Sequence, residues 1–145
     1  MIPHVPEARP AARQAGRVLR WLPLLAISAV ILYSGLKPEP IPQVFDQQDK
    51  LHHLAGFAAF AFALYLSVAR QRMGWGLLAS IGLGLGIELL QGLQPHRDAS
   101  LGDMAANTLG AVIGWGCWLG FQAWLRRRRV AAAPPAAGAI ENTGG

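Results

Sequence analysis

The sequence has a single cysteine, Cys117, and charged residues make up only 14% of its 145 residues. Because one thiol has no partner within the chain, an internal disulfide is excluded. The few charges lie mainly at the ends of the chain and in short segments between apolar runs. A soluble helical domain would instead carry charges along the polar faces of its helices. The length fits one domain, and the scarcity of charge favours a domain that is not soluble.

Apolar residues are abundant, at 52% of the chain, and the net charge is +5. A basic balance can indicate nucleic-acid binding, but basic residues that flank apolar runs are more typical of membrane helices anchored on the cytoplasmic side. We therefore predict a lipid bilayer as partner and no nucleic acid. The apolar runs predict four transmembrane helices, at about 18–36, 51–69, 75–92 and 101–125.

The predicted membrane domain covers residues 17–129 and lies between two segments of different composition. Residues 1–16 are rich in Pro, Ala and Arg, and residues 130–145 in Ala, Pro and Gly, so both are expected to be disordered cytoplasmic tails. The first apolar run also resembles a signal peptide. No small-residue cleavage site follows it cleanly, which favours a retained helix.

Basic residues alternate between successive segments of the chain. Arginines cluster in segments 9–20, 70–72 and 126–129, whereas the loops at 37–50 and 93–100 carry few basic residues. The positive-inside rule then places both termini in the cytoplasm. The predicted fold is all-α, an integral membrane protein with four transmembrane helices and an N-in/C-in orientation.

This topology gathers the polar residues of the apolar runs near the outer face. Ionisable residues within membrane spans are costly and therefore mark candidate functional sites. The predicted binding site has eight members: Asp49, Lys50, His53, Glu88, Gln91, Arg97, Asp103 and Asn107.

One face of the fourth helix combines these polar residues with glycines. Ser100, Asp103, Asn107, Gly110 and Gly114 recur at steps of three and four, which places them on one stripe. Small residues on such a stripe allow close helix packing. The simplest packing places this stripe against the glycine-rich run at 82–86 of the third helix, with His53 facing the outer ends of both. A second pair of glycines, Gly116 and Gly120, could serve either dimerisation or packing within the chain. A homo-oligomer is therefore an alternative to a monomer.

Three motifs occur in order along residues 46–116. They are Asp49-Lys50-x-x-His53 followed by Phe57; Glu88-x-x-Gln91; and Pro95-x-Arg97-x-x-Ser100-x-x-Asp103-x-x-x-Asn107-x-x-Gly110-x-x-x-Gly114. In this order they resemble the VanZ-like family of small bacterial membrane proteins. The family often has tyrosine at the position of Phe57, so no hydroxyl role is expected there.

The resemblance implies a multi-pass protein of the bacterial inner membrane that acts at the cell envelope. The family is named for a member linked to resistance to the antibiotic teicoplanin. For this chain, the resemblance makes a role in antibiotic resistance an expectation. The resemblance supplies no reaction. From it and the polar site together, we expect recognition, or modification, of an envelope lipid head group, a polymer or a cell-wall precursor.

Three interpretations of the polar residues stay open. Glu88, Asp103 and His53 could act as general acid or base, with Arg97 holding a phosphate or carboxylate. The same residues could be a polar network that joins helices without a ligand, as a structural membrane subunit would need. A proton-coupled small-molecule transporter is the third, although its substrate site would lie at the midplane rather than near one face.

Metal and nucleophile sites receive less support from the spacing. The available donors are His52, His53, His96, Asp49 and Asp103. They match no recognised ligand spacing, and adjacent histidines on a helix point about 100° apart, so neither a metal nor another cofactor is predicted. Ser100 is expected to be a helix N-cap with Asp103 at the N3 position rather than a nucleophile.

Overall fold

The computed structural model describes residues 16, 18–37, 42–68, 73–94 and 99–132. Within these residues it contains four helices and no strands, which confirms the all-α prediction. The helices are α1 (Leu22–Leu36), α2 (Gln48–Ser67), α3 (Met73–Gln91) and α4 (Leu101–Ala131). The predicted tails lie outside the described residues, except at their inner ends.

Helix α2 begins earlier than predicted, at Gln48. Gln47 precedes it in a left-handed conformation with φ of 68°, and the Val44 N–H donates to Gln48 Oε1 at 2.7 Å. This turn closes the preceding loop, so that Asp49 and Lys50 lie in the first helical turn rather than before it. The early start places Asp49 one turn before His53, on the same helix face.

Helix α4 ends later than predicted, because it continues from Leu101 to Ala131. The four arginines 126–129 are therefore helical, as are Val130 and Ala131, which were expected to open a disordered tail. The Arg128 guanidinium lies 4.2 Å from the centre of the Trp124 ring, an arrangement that favours a cation–π interaction. Basic side chains in the last turn also interact favourably with the helix dipole.

One described helix, α3, is long and apolar enough to cross a membrane, over Gly74–Gln91 with a mean hydropathy of 1.3. Helix α1 is apolar but has 15 residues, a length of about 22 Å against a hydrocarbon thickness of roughly 30 Å. The four-span topology and its N-in/C-in orientation therefore remain predictions.

The closest helix pair is α2 with α4, joined along the glycine stripe. A Cβ atom added to Gly110 would overlap the Leu54 carbonyl oxygen, and one added to Gly114 would overlap the Ala58 carbonyl oxygen. The predicted contact between the third and fourth helices is present, but the glycines of the stripe face α2 rather than the glycine run of the third helix. Alanines of α2 supply the small surface instead, and α3 approaches α4 mainly where Gly84 meets Asn107.

The apolar core continues from this contact toward the other end of the bundle. Tyr65 of α2 packs against Trp118 of α4 with ring centroids 5.5 Å apart, and both side chains are buried. Phe60 lies in a second cluster with Leu24 of α1. Apolar packing thus holds the three longer helices together. The opposite end of the bundle contains the buried polar residues Glu88, Gln91, Asp103 and Asn107.

Candidate functional site

Glu88, near the end of α3, is fully buried and binds the first turns of α4. Its Oε2 accepts the Ser100 N–H at 3.2 Å, and its Oε1 accepts the Asn107 side-chain amide at 3.4 Å. A carboxylate at a helix N-terminus also interacts favourably with the helix dipole. Glu88 therefore joins α3 to α4 through two hydrogen bonds in a region closed to solvent.

Asn107 extends this network to α2. Its Oδ1 lies 2.9 Å from His53 Nδ1, which is also 3.8 Å from Glu88 Oε1. An amide oxygen only accepts hydrogen bonds, so this contact places the proton of a neutral imidazole on Nδ1. The other nitrogen, Nε2, then carries the lone pair and points toward Asp49, whose Oδ1 lies 3.8 Å away.

Asp103 brings a second carboxylate to His53. One ligand atom from each of Asp49, His53 and Asp103 lies within 4.8 Å of the other two. The three differ in exposure: Asp103 is 8% exposed, the His53 side chain 12% and the Asp49 side chain 49%. Within the described part of the chain, Asp103 Oδ1 is buried and has no hydrogen-bond partner.

Ser100 caps α4, as predicted from its position. Its Oγ accepts the Asp103 N–H at 3.3 Å. In a reciprocal capping box the residue at N3 would in turn accept the N–H of the cap residue. Here Glu88 of α3 accepts the Ser100 N–H instead, so the Asp103 carboxylate takes no part in capping that N–H.

A cavity of about 280 Å³ lies beside this network, between α1, α2 and α3. Gln91 forms part of its wall and donates from Nε2 to the Gly35 carbonyl oxygen at 3.0 Å, which joins α3 to the end of α1. The cavity lining is mostly apolar, and its polar groups come mainly from the start of α2. The residues that line it are Val30, Ile31, Ser34, Gly35, Asp49, His52, His53, Ala55, Gly56, Phe57, Ile87 and Gln91.

The structure brings together six of the eight predicted site residues: Asp49, His53, Glu88, Gln91, Asp103 and Asn107. Lys50 lies beside them, with its side-chain stem over Gly102 in the first turn of α4. Arg97 lies outside the described residues. Ser34, Gly35 and His52 in the cavity lining were not predicted, because no polar pattern distinguishes the end of α1 and only His53 of the two adjacent histidines was assigned to the site.

These features define an all-helical protein with a buried polar network and a cavity at one end of its apolar helices. A family model described as VanZ/LLP1 matches residues 5–125, and the chain belongs to this family. The match includes the first helix, which lay outside the motifs recognised in the sequence. No curated protein and no solved structure gave a significant match. Family membership supports a VanZ-type envelope protein, and together with the apolar helix α3 it supports a membrane location.

Proposed function

We propose that this protein is a multi-pass inner-membrane protein that binds an envelope amphiphile, either a lipid head group or a lipid-linked cell-wall precursor. The cavity between α1, α2 and α3 is the observation that carries the proposal. In the predicted N-in/C-in orientation, the cavity lies near the outer face, where such molecules are used to build or repair the envelope.

The lining of the cavity matches an amphiphile. Ile31, Phe57 and Ile87 offer hydrocarbon surface, while Asp49 and His53 offer polar groups at one end. A volume of about 280 Å³ is just below the range of roughly 300–1,000 Å³ that is usual for whole small-molecule ligands. We therefore expect the cavity to hold a head group and the adjoining part of a chain, with the remainder in the bilayer.

The network favours binding over catalysis by its most buried acid. Glu88 is not among the residues that line the cavity, and both of its oxygens accept hydrogen bonds. A general acid or base must come within hydrogen-bond reach of the substrate. Glu88 is better placed to fix the helices around the cavity, and the same burial weighs against its use as the exchanging proton site of a transporter.

A structural subunit without a ligand is the second candidate, because the complete burial of Glu88 is also what a helix-joining network requires. The two candidate functions predict different effects of a substitution that fills the cavity. Ser34 lines the cavity, whereas Leu32, two residues earlier on α1, is 40% exposed and does not. Ser34→Phe should fill the cavity, and Leu32→Phe adds the same ring outside it.

The family name motivates a cellular test of the antibiotic part of the proposal. A glycopeptide-susceptible Gram-positive host would express the wild type, Ser34→Phe or Leu32→Phe at matched membrane levels, and growth inhibition by teicoplanin and vancomycin would be measured. We expect selective protection from teicoplanin with the wild type and Leu32→Phe, and its loss with Ser34→Phe. Equal protection by all three would remove the cavity from the mechanism. Protection by none would separate the envelope ligand from antibiotic tolerance.

A further inference from the structure

We infer that Asp49, His53 and Asp103 form a binding site for a divalent first-row transition-metal ion, Zn²⁺ or Mn²⁺. Their ligand atoms lie within 4.8 Å of one another although they come from two helices. Three atoms at most 4.8 Å apart share a central point that is no more than about 2.8 Å from each of them. Metal–ligand bonds are about 2.0–2.2 Å long, so each side chain would need to move by less than about 1 Å to bind an ion at that point.

The unpartnered carboxylate oxygen of Asp103 is an independent sign of a ligand. Asp103 is 8% exposed, and its Oδ1 has no hydrogen-bond partner in the part of the chain that the structure describes. Buried charges are normally paired or bound to metal ions, because desolvation of an unpaired carboxylate is costly. The oxygen is available because Glu88 has taken the Ser100 N–H that an N3 carboxylate commonly accepts.

The hydrogen bond to His53 prepares the ring to bind a metal. Metal-binding histidines almost always donate their second N–H to a carbonyl, carboxylate or water, which fixes the tautomer and the ring orientation. Asn107 Oδ1 supplies that acceptor at Nδ1, and Glu88 in turn holds the Asn107 amide. Nε2 is then the nitrogen directed toward Asp49 and available to the ion.

The donor set selects the class of ion. The imidazole favours Zn²⁺ and related first-row ions over Mg²⁺ and Ca²⁺, which prefer all-oxygen sites, and the two carboxylates also suit Mn²⁺. Two carboxylates and a neutral imidazole carry a charge of −2, which a divalent ion neutralises. Three protein ligands leave at least one coordination position for water or for an oxygen of a bound molecule.

This site differs from the expectation drawn from the sequence, which was that no metal binds. The spacing pattern could not reveal it, because only Asp49 and His53 share a helix and Asp103 joins them through packing. The inference does not rest on the proposed function, although Asp49 and His53 also line the cavity. Metal binding can be measured with no lipid ligand present.

Isothermal titration calorimetry tests the site directly. The full chain, freed of any histidine tag and stripped with chelator, would be placed in phosphatidylcholine nanodiscs and titrated with ZnCl₂ or MnCl₂, with MgCl₂ for comparison. The adjacent histidines are a matched pair: His53→Gln removes a ligand, whereas His52→Gln removes an exposed cavity-lining imidazole outside the cluster. Asp49→Asn changes a half-exposed side chain and is the variant least able to disturb folding.

We expect one saturable site in the wild type and in His52→Gln, with affinities that agree within about twofold. Loss of a metal ligand should weaken binding at least as much as the roughly 10–100-fold seen when a residue that hydrogen-bonds to a ligand is changed. Asp49→Asn, His53→Gln and Asp103→Asn should therefore each lose at least about tenfold in affinity. Zn²⁺ should also raise the unfolding temperature of the wild type but not of Asp103→Asn. The inference is overturned by the absence of saturable binding, or by equal affinity in wild type and Asp49→Asn.

Ser34→Phe keeps this test separate from the proposed function. It fills the cavity but leaves the three ligands unchanged, so it should retain metal binding while it loses the amphiphile. Loss of metal binding in this variant, with the fold intact, would overturn the inference of a metal site independent of the cavity, because Asp49 and His53 belong to both.

Discussion

The Ser100 N–H donates to Glu88 Oε2 at 3.2 Å, so α4 begins on a carboxylate that α3 supplies. This hydrogen bond satisfies the N–H of the cap residue and leaves the acid in the first turn of α4, Asp103, for another role. The polar end of the molecule is consequently divided into two parts. Glu88 and Asn107 hold the helices in place, and Asp49, His53 and Asp103 form the part that can bind a ligand.

The first prediction concerns Glu88. Glu88→Gln replaces one acceptor oxygen with an NH₂ group that faces a donor, either the Ser100 N–H or the Asn107 amide. A buried donor without a partner costs about 1–3 kcal/mol, so the variant should unfold at a lower temperature. Thermal unfolding of purified protein in detergent measures this, with Leu89→Met on the exposed side of the same helix as control. Wild-type thermal stability together with lost function would instead favour a chemical role for Glu88.

The second prediction concerns the contact between α2 and α4. Gly110→Ala and Gly114→Ala should each lower stability, because the new methyl group would overlap a backbone carbonyl of α2 that cannot move independently. Overpacking of this kind typically costs about 1–3 kcal/mol. Membrane abundance and unfolding temperature are the measurements.

Helix α4 supplies its own controls for this contact. Gly116 and Gly120 have no atom within 4 Å of an added Cβ, so Gly116→Ala and Gly120→Ala should be stable in the monomer. Helix propensity favours alanine over glycine, so equal losses at all four positions would show that packing in a homo-oligomer, rather than the α2 contact, sets the effect.

The third prediction concerns orientation, on which the outer position of the cavity depends. In a Cys117→Ser background, Val44→Cys in the loop before α2 should react with a membrane-impermeant maleimide added to intact cells. Ala132→Cys, just after α4, should react only after lysis. Val44 is 88% exposed and Ala132 is also exposed, so access to the reagent depends on the side of the membrane. The reverse pattern would place the cavity on the cytoplasmic face.

The sequence was sufficient to predict the helices and the meeting of their polar ends. Apolar runs and turn residues locate the helices to within several residues, and steps of three and four place Asp103 and Asn107 on one face. The neighbour of the glycine stripe was not predictable in the same way. Both the glycines of α3 and the alanines of α2 offer small surfaces, and only the packing of the whole bundle decides between them.

The site, too, could be predicted from the sequence only where its residues share a helix. The pair Asp49 and His53 is visible in the sequence as an i, i+4 pattern on a helix. The release of Asp103 from capping is not, because it depends on where Glu88 of another helix comes to lie. The α1 wall of the cavity was also unpredictable, since Gly35 meets Gln91 of another helix only through the packing of α1 against α3.

The most direct test of the central claim is to identify what the purified protein retains from its membrane. Wild type, Ser34→Phe and Leu32→Phe would be purified in a mild detergent, and the extracted lipids and cell-wall precursors quantified by mass spectrometry per mole of protein. The account predicts one amphiphile enriched with the wild type and Leu32→Phe, and depleted with Ser34→Phe. Identical profiles for all three proteins, with each folded, would contradict binding of an amphiphile in the cavity.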